Sequence, residues 1–250
     1  MIEVKGLYKS FDERTILSDI NSVFETGKVN LIIGKSGSGK TVLLKSLIGL
    51  HSINKGTIYY DGRDITKLDG KQTKKLREEI GVVFQGGALF DSQTIIENVK
   101  FPLNLFTNLS EKEKDERARF CLNRVNLDNV DHLYPAEISG GMKKRVAIAR
   151  AIVMNPKYLF CDEPNSGLDP LTAIVIDNLI QEITHEYNIT TIVNTHDMNS
   201  VFEIGENILF IHEGSKEWEG NKDEIINSDN SYLNEFIFSS ELYKKIRKNL

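Results

Sequence analysis

Cysteine is scarce. Cys121 and Cys161 are the two in 250 residues, and their spacing matches neither a disulfide framework nor a metal-binding pair. They read as two buried free thiols in a reducing compartment. Long apolar runs are missing as well. None reaches the ~18 residues that would cross a bilayer, so a membrane role has to come through a partner. The start "MIEVKGLYKSF" has no basic segment followed by an apolar one, and no signal peptide is expected. Positive charge is not in surplus either: 31 Lys and Arg face 36 Asp and Glu, for a net charge of −5. That excludes a generally basic nucleic-acid footprint, and no nucleic-acid partner is expected. The chain shows no internal repeat and no low-complexity linker. What it does have is 40% hydrophobic and 27% charged residues. That apolar content can bury the core of one large domain, and the charge content argues against disorder.

Strand-like runs alternate with helical ones, as in an α/β fold with a mainly parallel sheet. The first sixty residues differ. "MIEVKGLYKSF", "INSVFETG" and "GTIYYDG", with Gly27, Gly56 and Gly62 as turn signals, read as an antiparallel β layer. "VNLIIG" is a short buried strand, and "TVLLKSLIGL" a helix with Leu43, Leu44, Leu47 and Ile48 on one face. "IGVVFQ", "YLFCDE" and "ITTIVNTH" are further buried strands. Between Asp91 and Met154 the pattern turns helical. "SEKEKDERARFCLNRVNL" opens on Ser110 with Glu113 three places on, a capping box. Its run "EKEKDERAR" reads as a solvated helix face. The tail "SSELYKKIRKNL" carries four cations and reads as an exposed helix, with contact to a membrane surface or partner as the alternative.

"GKSGSGKT", Gly34 to Thr41, fits G-x-x-x-x-G-K-[ST] between a strand and a helix. Gly34, Lys35, Ser36, Gly37, Ser38 and Gly39 would wrap the backbone round phosphate oxygens, with Val42 following. Lys40 would reach the β- and γ-phosphates, and the Thr41 hydroxyl would ligate Mg²⁺. "YLFCDEP" delivers Asp162 and Glu163 at the C-terminal end of a buried strand, where ligands of open α/β sheets bind. Asp162 would hold Mg²⁺, and Glu163 would orient and deprotonate the attacking water. Gln85 ends "IGVVFQ" and His196 follows "ITTIVNTH". Either could reach a γ-phosphate or that water, or be structural. "ISGGMKKRVAIAR", residues 138–150, is a second glycine-rich helix start and so a second seat for an anion.

The order "GKSGSGKT", Gln85, "ISGGMKKR", "YLFCDEP", "SGLD", "NTHD" resembles the nucleotide-binding subunit of an ATP-binding cassette (ABC) transporter from Ile2 to about Phe236. The resemblance implies a P-loop NTPase with a RecA-like core, an antiparallel β subdomain and a helical signature subdomain. One cassette would cover 1–240, with 1–90 and 156–220 as catalytic core and β layer and 91–155 as helical subdomain. A C-terminal helical extension would follow over 221–250. ATP and Mg²⁺ are the implied cofactors. Phe11 matches the aromatic that stacks on adenine, although Tyr8 is close and Phe11 could be core. Ser139, Gly140 and Gly141 match the signature motif. Ser166 to Asp169 match a loop at the dimer interface, with Asp169 near the nucleotide. Gln85 would also contact the metal, and His196 matches the switch histidine. Two copies would pack head to tail, each P-loop facing the partner's "ISGGM". The implied place is peripheral, on the cytoplasmic face of the inner (plasma) membrane, bound to an integral-membrane permease.

"VVFQGGALFDSQTIIENVKFPL", "ISGGMKKRVAIARA" and "EIINSDNSYLNEF" resemble the ATPases of lipid transport systems that work with an MCE-domain protein. Met142, where most relatives carry Gln, followed by Lys143, Lys144 and Arg145, fits that branch; the cations could equally be a solvated face. "GALFDSQTIIENVKFPL" would grip the permease, or Phe90, Phe101 and Phe106 could be core. Glu206 and Asn207 depart from the usual Asp-Arg. Two other readings stand: an ABC ATPase for a polar solute or lipoprotein release, and a soluble ABC protein of translation or repair. The second usually needs two cassettes or long coiled coils, and this chain shows one cassette and no such heptads.

Overall fold

The computed structural model describes residues 1–238; the basic tail from Ser239 lies outside the described residues. The chain forms two compact units, Met1–Leu68 with the chain from Ile192 onward, and Asp69–Thr191. The first unit opens with β1 (Ile2–Phe11), β2 (Arg14–Phe24), β3 (Val29–Ile33), α1 (Lys40–Leu47), β4 (Lys55–Tyr60) and β5 (Arg63–Asp64). The second holds α2 (Gly70–Glu78), β6 (Ile80–Val83), α3 (Ile95–Phe106), α4 (Glu111–Arg124), α5 (Gly140–Ile152), β7 (Tyr158–Asp162) and α6 (Pro170–Glu186). Along β8 (Thr190–Asn194) the chain returns to the first unit, adding α7 (Met198–Ile204), β9 (Asn207–His212), β10 (Ser215–Gly220), α8 (Lys222–Ile225) and α9 (Ser231–Ile237).

In the first unit β2-β1-β4-β5 form the expected antiparallel layer. Ile2 pairs with Phe24 on one side and Tyr60 on the other, and all three are buried. A one-residue slip would turn that set to solvent, so burial fixes the register. The Tyr60 hydroxyl donates to the Leu47 carbonyl at 2.9 Å, tying the layer to the end of α1. β3 is buried along its whole length and pairs parallel with β9 from Asn30↔Asn207 to Ile33↔Phe210. A strand covered on both faces reads as a near-continuous apolar run, and "VNLII" does so apart from Asn30, whose buried amide bonds the Glu25 main chain at 2.8 and 2.9 Å. Glu206 and Asn207 anchor this strand pair. Glu206 accepts from Val29 N at 2.8 Å, and Asn207 Nδ2 donates to Val23 O at 2.9 Å and Asn30 Oδ1 at 3.0 Å.

In the second unit β6 and β7 run parallel, Val83 opposite Cys161. β6 ends at Val83, so Gln85 stands two residues past the strand rather than at its end. The helical stretch 91–155 supplies α3, α4 and α5. Ser110 and Glu113 form the capping box of α4. The charged run on α4 is not wholly solvated: Arg117 Nε donates to Val153 O at 2.9 Å and Nη2 to Ile152 O at 3.1 Å, taking up end carbonyls of α5. Fully buried Asn98 fixes the turn before α3. Its Oδ1 accepts from Phe90 N at 2.8 Å, and its Nδ2 reaches the carbonyls of Phe90, Gln93 and Thr94 at 3.1, 3.2 and 3.0 Å. Asn98→Leu orphans those groups. It should cost about 2–4 kcal/mol and lower Tm by roughly 5–10 °C in a thermal melt.

Candidate active site

In the first unit the chain leaves β3 at Gly34. A Cβ there would lie 2.2 Å from the Ile211 carbonyl oxygen and 2.7 Å from Ser38 Oγ, so only glycine lets the loop pass this close to β9. Ser38 N then donates to Lys35 O at 3.2 Å, and Gly214 N to Ser38 O at 3.1 Å. No side chain caps α1, whose first turn follows Gly39 at φ 109°. Its leading N–H groups can therefore serve an anion. Lys40 is buried, and its ammonium donates to Gly34 O at 2.8 Å and Lys35 O at 3.0 Å, held within the curl of the loop. Ser38 Oγ is buried with no hydrogen-bond partner among the described residues. A cradle of backbone donors, a held ammonium and an orphan hydroxyl fits a phosphate chain.

The other residues of the motif divide by exposure. Ser36, Gly37 and Thr41 are exposed and Val42 half-buried. The Lys35 side chain turns away to α9, where its ammonium meets Glu235 at 2.6 Å; that hydrogen bond holds the Glu235 carboxyl below its usual range. Phe11 is 41% exposed at the end of β1, not core. The Lys9 ammonium lies 4.5 Å from its ring centroid and His51 meets it edge-on at 5.2 Å. His196 is exposed just beyond β8. Thr195 N donates to Ile32 O at 3.2 Å, which fixes that strand end on β3.

In the second unit β7 delivers Asp162, which is buried, and then Glu163, which is half-buried with φ 46°. Left-handed backbone at a non-glycine residue is uncommon and aims the side chain out of line with the strand. Gln85 Nε2 donates to Glu163 Oε2 at 3.0 Å and to Ser166 Oγ at 3.4 Å. Two distant segments of the sequence, one carrying Gln85 and the other Glu163 and Ser166, thus meet at the Gln85 amide.

The backbone after Gln85 is held by α5. Lys144 Nζ donates to the Gln85 carbonyl, Arg150 Nη1 to Ala88 O at 2.7 Å and Nη2 to Gly87 O at 2.5 Å. Lys144 is 6% exposed. Burial pushes its pKa down, opposed by Cys161 and the Glu163 carboxylate. Burial lowers the Arg150 pKa too. Arg145 Nη1 reaches Asn126 O at 2.8 Å. The basic run after Met142 is therefore not a solvated face at Lys144 or Arg145, because loop carbonyls of other segments need their donors. Sequence reasoning left Lys144 and Arg150 out of the site. Their one signal is a cation among the apolar positions of α5.

Ser139 caps α5, its Oγ accepting from Met142 N at 3.3 Å, and remains exposed with Gly140. A Cβ at Gly141 would come within 2.7 Å of Thr172 Cγ2, so the glycine admits α6. Asp169 caps α6, accepting from Thr172 N at 3.0 Å and Thr172 Oγ1 at 2.5 Å. Those bonds hold its carboxyl below the usual range. The signature turn and the 166–169 loop are thus one packed block. Thiol chemistry has no place in it. Burial raises Cys121 to about 11 and Cys161 further still.

Residues 17–166 match the family described as ABC transporter. This chain belongs to the ABC transporter family. It is an ATP-binding subunit of that family and an ATPase. It is 37% identical over 236 residues to "Probable ribonucleotide transport ATP-binding protein mkl" of Mycobacterium leprae, across 94% of this chain and 68% of that protein. It is 42% identical over 211 residues to the methionine import ATP-binding protein MetN of Clostridium tetani, across 84% and 66%. The chain thus spans about two thirds of the length of these curated relatives. Among solved structures, a dimeric ATP-binding cassette in a post-hydrolysis state with ADP and phosphate matches with TM-score 0.81 and 33% identity, over 89% of this chain and 99% of that one. The cassette cbiO1 of Clostridium perfringens, part of an ABC transporter complex, matches with TM-score 0.84 and 31% identity, over 98% of each chain. The α/β cassette fold expected of a P-loop NTPase is the fold observed.

Proposed function

We propose that this ATPase drives lipid movement through an integral-membrane permease, with an MCE-domain protein as a further partner. We further propose that it works as a head-to-tail homodimer in which each ATP lies between one copy's P-loop and the other copy's Ser139, Gly140 and Gly141. Residues 1–240 are read as one cassette. The observation that carries the catalytic reading is the 3.0 Å contact of Gln85 with Glu163, residues 78 positions apart.

Lys40 and the loop 34–39 take the β- and γ-phosphates, and Phe11 offers its exposed ring to adenine. Glu163 accepts a proton from the attacking water, Gln85 orients that water, and His196 and the partner's signature donors stabilise γ-phosphoryl charge. Fixed donors around a developing charge act without reorganising. The described residues contain no group of three or more His, Cys, Asp or Glu suited to a metal. Mg²⁺ does not require such a group: one or two carboxylates suffice, with phosphate oxygens and neutral oxygen donors supplying the rest. Thr41, Asp162 and Gln85 would hold it, and it would neutralise phosphate charge.

An apolar groove of about 500 Å³ in the second unit, lined by Phe84, Phe90, Phe101, Pro102 and Phe106, supports the permease reading. Phe90 and Phe101 of "GALFDSQTIIENVKFPL", and Phe106 just beyond it, are exposed or half-buried rather than core, and Phe90 and Phe101 stand 4.7 Å apart. Such a patch suits an apolar helix of a partner. Among the described residues no helix is long and apolar enough to cross a membrane. Attachment through the permease, peripheral and at the cytoplasmic face, is the corresponding location.

The lipid cargo rests on Met142 and the flanking words shared with the MCE-linked branch. A polar-solute importer is the second reading, favoured by the 42% identity to a methionine import protein. Co-purification from source membranes separates them: an MCE-domain partner is expected, and a solute-binding protein would overturn the lipid reading. Lys40→Ala should lower ATP affinity about ten- to hundredfold by titration calorimetry, the worth of a charge-assisted phosphate contact.

A further inference from the structure

Lys144 is an ammonium buried in a helix otherwise packed with Val146, Ala147, Ile148 and Ala149. An apolar side chain would fill that space at no desolvation cost. What Lys144 adds is a bond to the Gln85 carbonyl, one residue's length from the Gln85 amide that meets Glu163 at 3.0 Å. Arg150 already pins the loop further along, at Gly87 and Ala88. Both of those residues have left-handed backbone, φ 75° and 47°, where the chain turns away. The two cations therefore have separable effects. Arg150 holds the turn, and Lys144 holds the single peptide unit that carries the Gln85 side chain.

We propose that Lys144 is a positioning residue for ATP hydrolysis, fixing the Gln85 amide against Glu163 through the Gln85 main chain. The inference rests on the reading of Gln85 and Glu163 as working groups. It also gives α5 a second task. The helix begins at Ser139 and holds Lys144 five residues on, about 7.5 Å along a rigid rod. Whatever seats at Ser139 then bears mechanically on the same chain's Gln85.

The test is a double-mutant cycle on the full chain, reading ATPase kcat and KM alongside a thermal melt. Lys144→Met should lower kcat at least tenfold with KM for ATP within twofold. Lys144→Arg, which keeps a cationic donor, should retain more than a third of wild-type kcat. In a Gln85→Ala background, Lys144→Met should cost less than a further twofold, because the group it positions is gone. A repeated tenfold loss in that background would show that Lys144 acts elsewhere and would overturn the proposal. So would wild-type kcat in a folded Lys144→Met protein. Should Lys144→Met fail to fold, Lys144→Gln enters the same cycle under the same criteria. Gln85→Ala alone reports on the underlying reading: unchanged kcat there would remove the role of Gln85, and that of Lys144 with it.

Discussion

Glu163→Gln is expected to bind ATP as the wild type does and to hydrolyse it at least a hundredfold more slowly. The substitution keeps size and shape. A glutamine carbonyl at this position still accepts from Gln85 Nε2, so the 3.0 Å contact need not break. What it loses is basicity. General-base assistance contributes ~10²–10⁴ in rate, and the P-loop residues that bind phosphate are unchanged. With hydrolysis blocked and binding intact, ATP should hold two copies together, and size-exclusion chromatography with ATP should show a dimer. Turnover at the wild-type rate would remove Glu163 from the role of base.

Ser139→Arg should abolish turnover, a loss of a hundredfold or more, while leaving nucleotide binding by the isolated chain intact. Ser139 is exposed at the start of α5 and touches its own helix through the bond to Met142 N at 3.3 Å. Losing that cap costs about 1 kcal/mol, too little to unfold a domain of this size. The large effect comes from the shared site. An arginine there fills the space that the partner's γ-phosphate needs, and removes donors fixed around the transition state, each worth ~3–4 kcal/mol. Calorimetric titration and a turnover assay on the same preparation check both halves. Full-rate hydrolysis by monomers would show that one copy suffices.

The parts of the site legible in the amino-acid order are those made by residues that follow one another. Gly34 to Thr41 is a strand, a turn and a helix in succession, and backbone rules at short range dictate its glycines. The Ser110–Glu113 capping box and the Ser139 helix start are equally local, because caps answer the unpaired groups of the adjacent turn. Gln85 is placed by likeness to a family rather than by physics, and its partner at Glu163 appears only when β6 and β7 pair.

Strand alternation, helix faces, the phosphate loop and the order of motifs are thus set along the chain itself, since each depends on residues a few places apart. Burial of charge is not. Lys144, Arg145 and Arg117 look like surface cations in "ISGGMKKR" and "EKEKDERAR", yet each donates to carbonyls between 19 and 59 positions away. Phe90, Phe101 and Phe106 could be core or surface until α3 closes one side of a groove and leaves it open. A side chain's solvent, and hence its charge and its work, is decided by whichever distant segment comes to lie against it.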